Sequence, residues 1–304
     1  MEETISILDG STFLVSGKNG DIEAGHDQPH GLFFKDTRHL SRWNLTFNNA
    51  KLSVLSTDAV EYYHAQFFCV RPTGTIYKNP TISVVRRRFV GDGFVEDIVV
   101  INHGAEAEEI NLRLQVGSDF ADLFEVKDAL RKKGQHYCHI RERQLTLGYR
   151  RENYIRETTI AASVNPTEIN EDSLVFRFVL PGKAEWQAQL HVAPGTGETV
   201  HRPKFSSKEG AGLRHNLEKW MENAPTLTAH PDQVHELYIR GLVDIAAHSD
   251  PVLPHWIGML ALDGIPGRWG RTNVMAEHAG APSFKQLYNR MMVQRGLLDE
   301  DKAA

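Results

Sequence analysis

From Thr12 to about residue 200, apolar residues recur at every second position in short runs, each closed by Gly, Asn, Asp or Pro. That period sends alternate side chains to opposite faces of an extended chain, one face buried and the other wet. It predicts strands over Thr12–Ser16, Gly31–Phe34, Trp43–Phe47, Lys51–Ser56, Tyr62–Val70, Thr81–Phe89, Gly93–Asn102 and Glu108–Val116. Further strands are expected over His136–Arg141, Gln144–Tyr149, Tyr154–Ala162, Ser173–Leu180 and Ala184–Val192. The pattern is clearest where Ile110, Leu112, Leu114 and Val116 alternate with Asn111, Arg113 and Gln115. Connections such as Asn48-Asn49-Ala50 and Gly91-Asp92-Gly93 suit hairpins between antiparallel neighbours. So many consecutive strands without crossover helices cannot build a parallel sheet. The expected fold is mainly β, a large antiparallel β-sandwich (supersandwich) over residues 1–200.

Between Pro194 and Gly212 the pattern dissolves into Gly, Pro, Thr, Ser and Lys, which predicts a linker. Beyond it Leu213, Leu217 and Trp220-Met221 recur at helical spacing. A second helix, opened by Pro231-Asp232 and running to His248, carries Val234, Leu237, Tyr238, Leu242 and Ile245 on one face. Residues 201–250 thus form a short α-helical extension with too few elements to close a domain alone. Residues 251–304 give no sustained period until Phe284–Leu298 and read as an atypical tail.

Composition narrows the function classes. The chain of 304 residues is 41% hydrophobic and 24% charged, with a net charge of −5, so nothing draws it to nucleic acid or to an anionic membrane. Arg86, Arg87 and Arg88 form a tight basic run; they lie within a strand pattern and are expected at its surface, Arg87 facing opposite to its neighbours. No run of about eighteen apolar residues occurs, and the acidic start Met1-Glu2-Glu3 lacks the form of a secretory signal, so a cytoplasmic location is the expectation. Cys69 and Cys138 are too far apart in sequence to indicate a disulfide framework. His136-Tyr-Cys-His139 would split its side chains between two faces of a strand, so no metal site is expected there, and no cofactor elsewhere.

The stretch Gly117–Val126 follows the best-patterned strand and places Asp119, Asp122 and Glu125 at three-residue spacing among Phe120, Leu123, Phe124 and Val126. Such spacing suits a compact corner whose carboxylates cap backbone N–H groups or meet cations, while Phe120 and Phe124 pack under the sheet. The competing reading is a functional acid cluster. Glycoside hydrolysis needs two carboxyl groups flanking one bond, a demand that residues on a single element do not meet by themselves. Trp43, Tyr62, Tyr63, Tyr154 and Trp186 are candidates for a sugar-stacking platform, against the commoner role of such rings as core.

Ser11-Thr-Phe-Leu-Val-Ser16, then Gly20-Asp21, then Gly31-Leu-Phe-Phe-Lys-Asp-Thr-Arg38 with Leu40, Ser41 and Trp43, open a recognisable order of motifs. Arg88, the Glu96–Asn102 strand and Asp119–Val126 continue it. Together they resemble the N-terminal domain of bacterial and archaeal glycogen debranching enzymes of the amylo-alpha-1,6-glucosidase type, over about residues 9–250. The resemblance implies a sandwich that precedes an (α/α)6 toroid, and it places the glycosidase carboxylates in the toroid. No catalytic residue is therefore carried over to this chain. Asp36, Arg38, Asp119, Asp122 and Glu125 are the motif positions taken as candidate binding or interface residues. The partners implied are the toroid, in cis or in trans, and α-glucan. Where the family continues into Gly-Ile/Leu-Pro-Trp-Phe and Phe-Gly-Arg-Asp, this chain has Gly264-Ile-Pro-Gly-Arg-Trp-Gly-Arg271, which implies that a frameshift or early stop has replaced the start of the catalytic domain. Two further readings stay open: a free-standing carbohydrate-binding or scaffold protein, and a hydrolase acting within the sandwich.

Overall fold

The computed structural model describes residues 4–25, 29–72, 80–91, 93–127, 133–196, 199–200, 217–222, 224 and 232–247. The expected tail, residues 251–304, and most of the expected linker lie outside them. In chain order the strands are β1 (Thr4–Asp9), β2 (Thr12–Gly17), β3 (Ile22–Glu23), β4 (Gly31–Phe34), β5 (Thr37–Leu40), β6 (Arg42–Phe47), β7 (Ala50–Lys51), β8 (Ser53–Glu61) and β9 (His64–Val70). There follow β10 (Ile82–Val90), β11 (Phe94–Asn102), β12 (Glu108–Gly117), the short helix α1 (Leu123–Lys127), β13 (Gln135–Arg141), β14 (Gln144–Arg151) and β15 (Tyr154–Ala162). The series closes with β16 (Glu168–Asn170), β17 (Ser173–Leu180), β18 (Glu185–Thr196) and β19 (Thr199–Val200). The chain divides into two compact units, Met1–Lys219 and Trp220–Ala304.

The first unit holds three antiparallel sheets. One has nine strands in the order β13-β14-β15-β18-β11-β10-β9-β8, with β19 added beside β18; a second has six, β16-β17-β12-β6-β3 with β7 beside β6; a third has four, β1-β2-β4-β5. Alternation explains the sandwich. On β12, Ile110, Leu112, Leu114 and Val116 are buried, and in register they meet Phe47, Leu45 and Trp43 of β6 and Phe176 and Leu174 of β17. These side chains share one core with Phe67, Val84, Ile98, Ile160 and Leu190 from the inner face of the nine-stranded sheet. Each fully buried side chain of this size contributes roughly 1.5–3 kcal/mol. Two hairpins turn on residue pairs with left-handed backbone, Lys35-Asp36 (φ 44° and 67°) and Asn48-Asn49 (φ 47° and 64°), the geometry whose twist matches that of the paired strands.

Residues 217–222 are helical (α2) and straddle the division at Lys219; in the second unit Asp232–Ala247 forms α3, within the expected span. Leu242 and Ala247 of α3 are buried, whereas Leu237 and Ile245 remain about half exposed.

Three expectations need correction. Lys51–Ser56 is not one strand: β7 pairs with β6, while β8 begins at Ser53 and pairs with β9, so the break falls at Leu52 where the chain passes between sheets. The chain is still in strand β18 at Pro194, where a linker was expected. Pro194 lies past the last β11 partner, Val192, and is paired only with Thr158 of β15, so its missing N–H costs the sheet little.

The third correction concerns the basic run. Arg87 does face opposite to its neighbours, but Arg86 and Arg88 point inward and are 1% and 0% exposed. Glu96, also fully buried, lies directly across from Arg88 on β11 and accepts from Arg86 Nε at 2.5 Å and from Arg88 Nη2 at 3.3 Å. Trp43 Nε1 donates to the other Glu96 oxygen. Arg86 Nη1 donates to Asp21 Oδ1 at 2.7 Å and to Asn19 O at 3.0 Å. Two cations thus face two anions, the condition under which charge can stay buried. Burial alone would raise the Glu96 carboxyl, yet the two guanidinium groups hold it below its ordinary value. Burial pushes Arg88 down to about 10, against the pull of Glu96. Arg86 is raised, because Glu96 and Asp21 together outweigh its burial. Arg88 Nε and Nη1 find no acceptor among the described residues; the guanidinium lies instead 5.0 Å from the Phe67 ring centre and 5.4 Å from that of Phe94.

Candidate functional site

Four of the five motif positions converge on one corner. The β4–β5 hairpin supplies Arg38, and Asp36 sits in its turn. The segment 117–122 runs beside β5 as a strap: Ser41 N donates to Gly117 O and Arg38 N to Ala121 O, both at 2.8 Å, and Thr37 forms an isolated antiparallel bridge with Asp122. Ser118 Oγ and Thr158 Oγ1 both donate to His39 O, which ties the strap and β15 to the same carbonyl.

Arg38 grips Asp119 through Nε, at 3.0 and 3.1 Å from the two carboxylate oxygens, and through Nη2. Nη1 reaches back to His30 O at 3.4 Å. The Arg38 side chain is 9% exposed and that of Asp119 38%, so the pair stands at the edge of the core. Gly31 makes room for it: a Cβ there would lie 2.6 Å from Arg38 Cδ. Bidentate arginine pairs fix direction as well as adding energy, and this one fixes the strap against the hairpin.

Phe120 is fully buried although its φ is +52°, a conformation that bulky residues rarely adopt. Its ring stands edge-on to His39 at 5.7 Å and lies 6.2 Å from Tyr149, so ring packing holds the strained backbone in place. Immediately after it, Asp122 Oδ1 accepts from Glu125 N at 2.8 Å and Glu125 Oε2 accepts from Asp122 N at 2.9 Å. This reciprocal capping box starts α1. The expectation that Phe124 packs under the sheet is wrong: it is 64% exposed, because α1 has turned its first-turn aromatic away from the strap. The three carboxylates are thus engaged, Asp119 by a guanidinium and the other two by backbone N–H groups. Asp36 lies in the turn of the hairpin that supplies Arg38.

The five candidate platform rings do not come together. Trp43 and Tyr63 are buried; Tyr62 stands edge-on to Tyr63 at 5.0 Å, Trp186 is stacked 4.4 Å from Phe178, and Arg156 covers Tyr154 at 4.0 Å. Among the described residues, no group of three or more His, Cys, Asp or Glu side chains is placed to share a metal ion. No helix among them is long and apolar enough to cross a membrane. The buried ionic cluster is the site-like feature that sequence reasoning missed. Its signal was available: Glu96 alternates with Phe94, Ile98 and Val100, and so shares their inward face.

Comparison with known proteins adds the following. The family described as the N-terminal domain of (some) glycogen debranching enzymes matches residues 7–191. No curated protein matches the sequence. Among solved structures, the chain is similar to a protein assigned as a kojibiose phosphorylase from the human microbiome, at 11% identity and a TM-score of 0.49, over 81% of this chain and 36% of that one. It is also similar to a galactose mutarotase-like protein from Lactobacillus casei, at 8% identity and a TM-score of 0.39, over 64% of this chain and 100% of that one. The chain spans about a third of the length of the first of these.

Proposed function

This chain belongs to the family of N-terminal domains found in some glycogen debranching enzymes, and from that membership we propose that it is a non-catalytic scaffold domain in α-glucan metabolism. Its strapped corner then serves as a docking edge for an (α/α)6 glucosidase domain, in cis or in trans. The observation that carries this reading is the state of the three carboxylates. Asp119, Asp122 and Glu125 are held by Arg38 and by the cap of α1, while Phe124 beside them projects into solvent on a tightly anchored turn. Glycoside hydrolysis requires two carboxyl groups on either side of one bond, roughly 5 to 9.5 Å apart and free to exchange protons with it. An exposed aromatic on a rigid mount has the character of an interface anchor. The test is an assay of the purified chain on α-1,6-branched and linear α-1,4 dextrins. No glucose release is expected. Turnover that disappears in Asp119→Asn would overturn the proposal and make the sandwich itself a hydrolase.

A further inference from the structure

The outer face of the nine-stranded sheet carries a second feature, remote in sequence from the corner motif. Reading the register straight across, Asp58 on β8 faces Gln66 on β9, Gln66 faces Arg87 on β10, Arg87 faces Asp97 on β11, and Asp97 faces Gln189 on β18. Five polar side chains thus form one row across five strands, a span of roughly 19 Å at about 4.8 Å per strand. The two flanking rows differ from it. On one side lie Phe68, Val85 and Val99, ending in Ser56 and Gln187; on the other the stacked rings of His64 and Phe89, 4.2 Å apart, and Val95, ending in Glu61 and His191.

Two of the five, Gln189 and Asp97, are already hydrogen-bonded to each other. Gln189 Nε2 donates to Asp97 Oδ1 at 2.7 Å, and His191 Nε2 lies 2.6 Å from Gln189 Oε1. Two others are not. Arg87 and Gln66 are half-buried, yet among the described residues neither makes a hydrogen bond or ion pair, although Arg87 stands directly across from Asp97. A guanidinium and a carboxylate held side by side without touching offer donors next to an acceptor. Neighbouring hydroxyls, each able to give and to take a hydrogen bond, fill that gap without leaving a net charge to balance. Beside the row, the exposed Phe68 and the half-buried Phe89 suit the C–H faces of sugar rings, while Val85, Val95 and Val99 are buried.

We propose that the row Gln66, Arg87, Asp97 and Gln189 binds a neutral linear oligosaccharide, with Arg87 and Asp97 gripping adjacent hydroxyls and Phe68 and Phe89 bordering the ring edges. It rests on the scaffold reading only in taking an α-glucan as the first probe. Titration of the full chain with maltoheptaose by calorimetry tests it, with hyaluronan hexasaccharide as an anionic probe. Binding of maltoheptaose is expected, weakened at least about tenfold by Arg87→Ala and by Gln189→Ala, the loss of about one charge-assisted hydrogen bond. Arg177→Ala, on the outer face of the six-stranded sheet, should leave it unchanged. Variants are compared only when their melting midpoints match the parent; both row positions are on the solvent side, so at least one variant will meet that condition. No binding of either probe, tighter binding of hyaluronan, or equal loss in Arg177→Ala would each overturn the assignment. Glucose release is a separate readout, so the scaffold reading and this one fail independently.

Discussion

Glu96→Gln is the sharpest perturbation the fold offers, because it keeps the side chain's shape and removes its charge. In the native protein Glu96 is the shared acceptor for Arg86, Arg88 and Trp43 in a site closed to water. The substitution leaves two buried guanidinium groups facing one carboxylate, Asp21, and turns a balanced cluster into one with an excess positive charge. Breaking a buried pair in this way costs about 3–5 kcal/mol, because an uncompensated charge stays in the core. For a domain of this size that lowers the melting midpoint by roughly 6–20 °C. Arg88→Leu should cost much less, since Arg88 leaves two donors without acceptors and burial already depresses its pKa. Arg86→Met should resemble Glu96→Gln, because it leaves two carboxylates facing one guanidinium, Arg88, instead. Acid sharpens the test. The folded pKa of Glu96 lies below the ordinary value of about 4.3, so its contribution is complete above that pH and disappears as the pH falls through the folded value. The gap between parent and Glu96→Gln in urea unfolding should therefore be widest near neutrality and narrow as the pH falls below the ordinary carboxylate value. A Glu96→Gln protein within about 1 kcal/mol of the parent at pH 7, or a gap that widens in acid, would refute the reasoning.

Three further outcomes follow from the corner. Phe120→Ala should cost about 3–5 kcal/mol in urea unfolding, and Phe124→Ala less than about 0.5 kcal/mol, a contrast set by burial alone. Asp122→Ala should cost about 1 kcal/mol through loss of the cap while Asp122→Asn stays near the parent, as read from melting midpoints. Gly31→Ala should displace the Arg38 side chain, and a double-mutant cycle with Asp119→Asn should show the two changes to be non-additive.

What the sequence revealed and what it hid follow from one physical fact. Period-two alternation reports which side chains share a face, not which face is dry. It therefore located β12, β15 and β17 to within a residue and correctly set Arg87 opposite Arg86 and Arg88. Polarity then misplaced the outer two, because a charged residue goes outward by default and only a well-placed cross-strand partner reverses that; Glu96, directly across from Arg88 and within reach of Arg86, is such a partner. Strand β5 escaped notice for the same reason, since Thr37, Arg38 and His39 are polar yet buried by the strap and by β15. The corner motif was legible as a capped turn because Asp122 and Glu125 have capping-box spacing. Which of its two phenylalanines faced inward was not, because the left-handed Phe120 resets the direction of the chain.

The place of β18 bears on how the protein is made. It sits between β15 and β11, so the nine-stranded sheet stays in two pieces until nearly the last of its strands has been synthesised. At roughly 5–20 residues per second, the chain from β12 to β17 leaves the inner edge of β11 open for several seconds. During that time β11 presents a long, apolar, unpaired edge to every neighbouring nascent chain. Pairings between such distant segments also close slowly. Yield of folded protein should therefore depend more on the supply of chaperones and on growth temperature than on the stability of the finished sandwich.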